Sequence, residues 1–204
     1  IAIGSVAHAQ EESSLAMGSL AKATNTYAYA IGGNAQAKGR WSIAMGTNAV
    51  AEDDASVAIG TWSNATSGQS AAVGYQAKAK ALGATALGRL TNVTAVDGTA
   101  IGSSTSVTGL NGTSIGNKAN VTVKNGVAIG NEANAKNENA VAIGSGSETA
   151  TAVGTTSETV NGEIHNFAGI NPTSTVSVGK TGVERTITNV AAGRLSATST
   201  DAIN

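Results

Sequence analysis

The chain has 204 residues with 26 Gly, two Trp, three Tyr, one Phe and a formal net charge of −1. So few large side chains cannot fill a thick interior at native density, though they can fill a very thin one. Sparse, balanced charge argues against bulk attraction to nucleic acid or an anionic membrane, and the absence of cysteine excludes disulfide and thiol chemistry. No run of about 18 apolar residues is present, so no segment reads as a membrane-spanning helix. No signal peptide is recognisable, and the sequence opens in mid-repeat at Ile1-Ala2-Ile3-Gly4. It is therefore read as an excised fragment, with targeting and anchoring signals expected outside it.

From the first residue to Gly144 the chain repeats itself every fourteen residues, with glycine at 4, 18, 32, 46, 60, 74, 88, 102, 116, 130 and 144. A fixed short period is the signature of a solenoid. With glycine as position 0, position −2 is Ala in every copy but one, where Ser114 replaces it, and position −4 is Ser, Ala or Gly. Positions −3 and −1 are bulkier, as in Leu15/Met17, Ile43/Met45, Val57/Ile59, Val127/Ile129 and Val141/Ile143. That alternation predicts a strand. Positions +3 and +5 are small again, as in Ala21/Ala23, Ala49/Ala51 and Ala77/Ala79, which predicts a second strand with one small face and one wet face. Asn, Gly, Asp and Ser gather between the strands, where turns are expected.

Each unit is therefore one coil of a flattened parallel β-roll, and stacking at about 4.8 Å per coil gives a rod of roughly 50 Å. The small faces of the two strands meet inside, and the −3 and −1 residues point outward as a long apolar stripe. The opposite assignment, with bulky residues inside and alanines outside, leaves the constant smallness of positions −2 and 0 without a reason. A stripe of that length predicts a subunit interface, with Leu15, Ile43, Val57, Ile59, Val127, Ile129, Val141 and Ile143 facing the axis of a cyclic homo-oligomer.

The block 83–123 departs locally. Thr85, Thr99 and Thr113 take position −3, Val93, Val107 and Val121 take position +5, and Thr94, Thr108 and Thr122 line up at +6. A locally thicker interior and a more polar seam are expected there. After Gly144 the period fails. Ala152-Val153-Gly154 comes early and is read as a shortened coil, 155–176 as a degenerate connector containing Pro172 at a turn, and 177–204 as a last coil and exit. Ser199-Thr200-Asp201-Ala202-Ile203-Asn204 reads as the start of a helix.

The Ser-Val-Ala-Ile-Gly coils resemble the head of the YadA-like trimeric autotransporter adhesins of Gram-negative bacteria. The segment from Val178-Gly179-Lys180 through Ile187-Thr188-Asn189-Val190-Ala191-Ala192-Gly193, followed by Thr200-Asp201-Ala202-Ile203-Asn204, is similar to the neck of that family. The resemblance covers nearly the whole chain. It implies an all-β fold, a left-handed parallel β-roll of 14-residue coils over 1–154, three chains about one axis, and a C-terminal neck leading into a coiled-coil stalk. It further implies display outside the outer membrane of a bacterium, held by a C-terminal anchor outside the fragment.

No residue constellation suggests catalysis. His8 and His165 have no nucleophile or metal-spaced partner, the glycines do not form a phosphate loop, and no cofactor or metal is expected. Asn64, Asn92, Asn111 and Asn120 stand in glycosylation-like triplets, which an Asn/Thr-rich chain produces by chance. The outward columns +2, +4 and +6 carry Lys22, Lys38, Trp62, Lys78 and Lys80, which are either a solvated face or a ligand surface anchored on Trp62. Trp41 and Arg40 are weaker candidates. The leading expectation is a non-catalytic adhesin head that attaches to host extracellular-matrix or cell-surface proteins of the fibronectin, laminin or collagen type. A structural spacer in a surface fibre is the main alternative, and an ice-binding or surface-binding solenoid a weaker one.

Overall fold

The computed structural model describes residues 1–194, 196 and 198–201. Two parallel sheets face each other, one of twelve strands and one of ten. The first sheet takes the −3 to −1 triplets, from Ala2–Ile3 and Leu15–Met17 up to Val141–Ile143. The second takes the +4/+5 pairs, from His8–Ala9 to Asn134–Ala135. Every rung up to Val141–Ile143 is in register at fourteen residues, for example Val57 with Ala71 and Asn64 with Lys78. The repeat thus becomes a stack of coils, each touching only its neighbours along the rod.

The interior is the layer of small side chains that the pattern predicts. Ala16, Ala30, Ala44, Ala58, Ala72 and Ala86 at −2 are fully buried against Ala23, Ala37, Ala51, Ala65 and Ala79 at +5. Buried hydroxyls at −4 are satisfied at short range: Ser14, Ser42, Ser56 and Ser70 each donate to the carbonyl three residues earlier at 2.5–2.7 Å. In the Val block, the extra methyl groups lie over glycine. A Cβ on Gly98, Gly112 or Gly126 would fall 2.8–2.9 Å from a γ-methyl of Val93 or Val121. The thicker interior expected there is unnecessary, because loss of Cβ at −4 offsets the added volume at +5.

Both corners of each coil depend on unusual backbone. The glycines at position 0 from Gly4 to Gly130 have φ of 124–138°, and a Cβ on any of them would lie 2.0–2.7 Å from the backbone of the next glycine in the column. Left-handed residues then recur at every seventh position, at +2 and at −5, as in Asn34, Trp41, Asn48, Ala55 and Trp62. Asn tolerates this conformation well, and several copies stack: Asn111 Nδ2 donates to Asn125 Oδ1 at 3.2 Å, and Asn125 Nδ2 to Asn139 Oδ1 at 2.9 Å.

The C-terminal end of the roll differs from the expected shortened coil. Ala152-Val153-Gly154 forms no strand, and Val153 is 80% exposed. Ten residues are too few to supply both strands and both corners of a fourteen-residue coil. The next rung is instead Val176–Ser177, paired parallel with Val141 and Ala142. The intervening segment is not structureless: Ser157–Val160 and Glu163–Asn166 form an antiparallel hairpin across Asn161-Gly162. Both turn residues have positive φ (52° and 85°), the signature of a tight hairpin turn whose twist suits the strands.

Beyond this rung, side chains replace the missing coil. Ser147 Oγ donates to the Ile143 carbonyl at 2.7 Å, where earlier coils use the next glycine N–H. The Arg185 guanidinium donates to the carbonyls of Ser145 and Val178 and to Ser147 Oγ. Arg185 therefore caps the open end of the ladder. No helix is assigned among the described residues, and the expected helix start at 199–204 falls in part outside them.

Ser114 marks the one break in the −2 column. It is fully buried, and its Oγ has no hydrogen-bond partner. Ser114→Ala should raise stability by about 1 kcal/mol, because it removes an unsatisfied hydroxyl without leaving a void. A denaturant melt checks this, and a loss of stability would mean that the hydroxyl is paired in solution.

Candidate interaction surface

The two sheets present opposite chemistry to the outside. On the first sheet, Met17, Met45, Leu87, Ile115, Ile129 and Ile143 remain 37–44% exposed in the single chain. Leu15, Ile43, Val57, Ile59, Val127 and Val141 are half-buried by their stacked neighbours along the same face. The second sheet carries His8, Lys22, Gln36, Val50, Asn64, Lys78, Asn92, Ser106, Asn120 and Asn134 in its +4 column. One face is thus an apolar stripe and the other a wet one, as the alternation in each strand requires.

The lysines singled out from the sequence all lie on or beside the wet face, but not in one group. Lys78 is exposed between Asn64 and Asn92, and exposed Lys80 follows two residues later on the same side. Lys22 stands between His8 and Gln36, several coils away. Lys38 is tied to Glu52 of the next coil at 3.2 Å. Trp62 sits at the first corner, left-handed (φ 62°) and 54% exposed, rather than on the sheet itself. Its backbone N–H donates to the Thr47 carbonyl at 3.0 Å.

A more highly organised cluster lies on the second corner, around the weaker candidates Trp41 and Arg40. Trp41 has φ of 56° and Tyr27, in the same column one coil earlier, has φ of 57°. Left-handed backbone costs a non-glycine residue about 1–2 kcal/mol, so large aromatic rings are not there by default. The Arg40 guanidinium lies 4.8 Å from the centroid of the Trp41 ring. Asp54 holds Arg40 in place, accepting from its backbone N–H at 2.8 Å, from Nε at 3.2 Å and from Nη2 at 3.0 Å. The backbone hydrogen bond, then the side-chain bonds, hold the Asp54 carboxyl below the usual aspartate range. The signal in the sequence was the pair Arg40/Asp54 at one coil spacing beside an aromatic residue.

At the base of the roll, Glu148, Ala150, Val176, Val178, Lys180 and Glu184 line an open cleft beside Arg185. His8 and His165 lie far apart in the chain, on the second sheet and on the hairpin, where His165 faces Glu158. Among the described residues no three His, Asp or Glu side chains form a group that could hold a metal ion.

Residues 23–40, 42–61, 65–91, 94–119 and 124–147 match the YadA head domain repeat. Over 60 residues the chain is 58% identical to the autotransporter adhesin BtaE of Brucella suis, an alignment that takes in 29% of this chain and 8% of that protein. The fold is similar to the crystal structure of the collagen-binding domain of the Yersinia adhesin YadA, with a TM-score of 0.65 and 30% identity over 96% of this chain and 94% of that one.

The Asp54 clamp has a pH signature. A carboxyl whose pKa is lowered by folding contributes above its unfolded pKa and loses that contribution as pH falls through the folded one. In a Trp62→Phe variant, Trp41 fluorescence should stay constant from neutral pH to about pH 4 and change only below it. A transition centred above about pH 5 would show that Asp54 does not orient the indole.

Proposed function

The chain belongs to the YadA head-repeat family, and on that footing we propose that it is the head of a bacterial surface adhesin that attaches to host extracellular-matrix proteins. It works without catalysis: attachment is spread over a rigid rod rather than concentrated in a reactive pocket. Collagen is the first ligand to test, because the Yersinia domain similar over 96% of this chain is described as collagen-binding. Fibronectin and laminin follow. The relative from Brucella suis is an autotransporter adhesin, which supports display outside the outer membrane through an anchor in another part of the protein.

The observation that carries the reading is the division between the two outer faces. An apolar stripe along the full first sheet is suited to assembly, and a polar second sheet to contact with a partner. Three chains would bury the stripe around a common axis, with Ile59 and its equivalents inside. Burying each such side chain fully is worth roughly 1.5–3 kcal/mol, summed over many coils. The wet face then appears three times around the rod, so weak contacts with a fibrous ligand gain by avidity. Residues 177–204 would serve as the neck that narrows the head onto a coiled-coil stalk. The spacer reading has no comparable support, since a spacer needs no organised aromatic corner.

Light scattering should give the mass of a trimer, and Ile59→Asp should abolish it, because buried carboxylates would converge without partners. A native trimer in that variant would mean that the first sheet faces solvent. Attachment to immobilised collagen, fibronectin and laminin should weaken as salt rises, since exposed charges are screened over about 8 Å at physiological ionic strength. It should weaken further in a variant combining Trp62→Ala, Lys78→Ala and Lys80→Ala. Equal attachment by wild type and variant would remove those residues from the surface.

A further inference from the structure

The second-corner edge of the first four coils combines features found together nowhere else among the described residues. Tyr27 and Trp41, on neighbouring coils, are 43% and 54% exposed. Glu11, Glu12 and Asp53 project from the same edge on either side of them and are exposed. None of the three enters an ion pair among the described residues, whereas the neighbouring acids Glu52 and Asp54 each hold a cation of this chain. The edge is therefore acidic and aromatic at once, on a chain of almost no net charge. The Arg40 guanidinium over the Trp41 ring shows the contact that such an edge makes with a cation.

We propose that this edge is a docking surface for an arginine- and lysine-rich segment of a protein partner. Cationic side chains of an extended segment meet the ring of Tyr27 and the side of the Trp41 ring away from Arg40, while Glu11, Glu12 and Asp53 neutralise the charges between them. The Asp54–Arg40 clamp fixes the indole before the partner arrives, so little ordering is left for the encounter. Stacking of aromatic rings on a neutral glycan would leave the three carboxylates without a counter-charge, so charge complementarity favours a basic polypeptide. The proposal rests on the adhesin reading for the origin of the partner, and it assigns the contact to a corner that the lysine-bearing face does not share.

The test uses the whole trimer and a fluorescent dodecapeptide of alternating Arg and Gly, followed by anisotropy. Trp41→Ala should fold, because Ala55 occupies the same column at φ 55°. Trp41→Ala, and separately Glu11→Gln with Glu12→Gln, should each weaken binding by about fivefold or more, as loss of a cation–π contact or of paired charges predicts. Leu90→Ala, on the opposite corner, should bind as wild type. Wild-type affinity in either edge variant overturns the proposal, as does capture of cellohexaose by the Trp41 ring with no peptide binding. Attachment to the matrix proteins is measured in parallel. If the trimer binds the peptide but no matrix protein, the adhesin reading fails and the edge stands. If matrix attachment persists while the edge variants keep wild-type peptide affinity, the edge fails and the adhesin reading stands.

Discussion

The structure depends on the close approach of one glycine to the next. At position 0 the chain leaves the first sheet with φ near 130°, and the space where a Cβ would stand holds the carbonyl of the glycine in the following coil. No other residue fits both demands, so the column fixes where every coil turns. With the turn fixed, the strands on either side come close enough that Ala, Ser and Gly fill most of the space between them, and Val93, Val107 and Val121 fit only over the glycines at −4. Hydrophobic burial per coil is then small, of the order of 0.8 kcal/mol for each methyl, and the hydrogen-bonded ladder carries much of the order. The large side chains have no place inside and must go outward.

That displacement connects the fold to its use. In an ordinary domain, valine and isoleucine build the core and the surface is left polar. Here, outside the Val93, Val107 and Val121 block, they line one outer face as a long apolar stripe, the kind of surface that marks an interaction site. The opposite face and the corners are free to vary from coil to coil without disturbing the interior. A corner residue needs only to tolerate left-handed backbone, and the column accordingly holds Asn, Ala, Gln, Lys and Trp. Variation at corners is how a repetitive rod acquires a local patch such as the one around Trp41.

The strand positions, the inward alanines and the parallel stacking were legible because each is written many times at one spacing, and single exceptions could not hide them. The C-terminal end was harder because it is written once. Ala152-Val153-Gly154 imitates the repeat locally, yet the chain passes it by and returns to the ladder at Val176. The Asn161-Gly162 hairpin is signalled only locally, by its turn residues and short flanking strands, in a segment that carries no coil period. Arg185 carries no such signal, since its role is set by the Ser145 carbonyl and the Ser147 hydroxyl, 40 and 38 residues away, which only the folded end brings to it. Trp41 was visible as an aromatic, but its clamp needs the registry of Arg40 with Asp54, and of the candidate lysines only Lys78 and Lys80 share a coil.

The central claim is that the first sheet faces a shared axis while the second faces outward. The natural sequence has no cysteine, so single spin labels can be placed cleanly. The direct measurement is the set of inter-chain distances by pulsed electron resonance for Val127→Cys on the first sheet and Asn120→Cys on the second, each labelled separately. The account predicts one narrow distance population at each site, short at position 127 and substantially longer at position 120. A longer distance at 127 than at 120, or no inter-chain coupling at either, would contradict it.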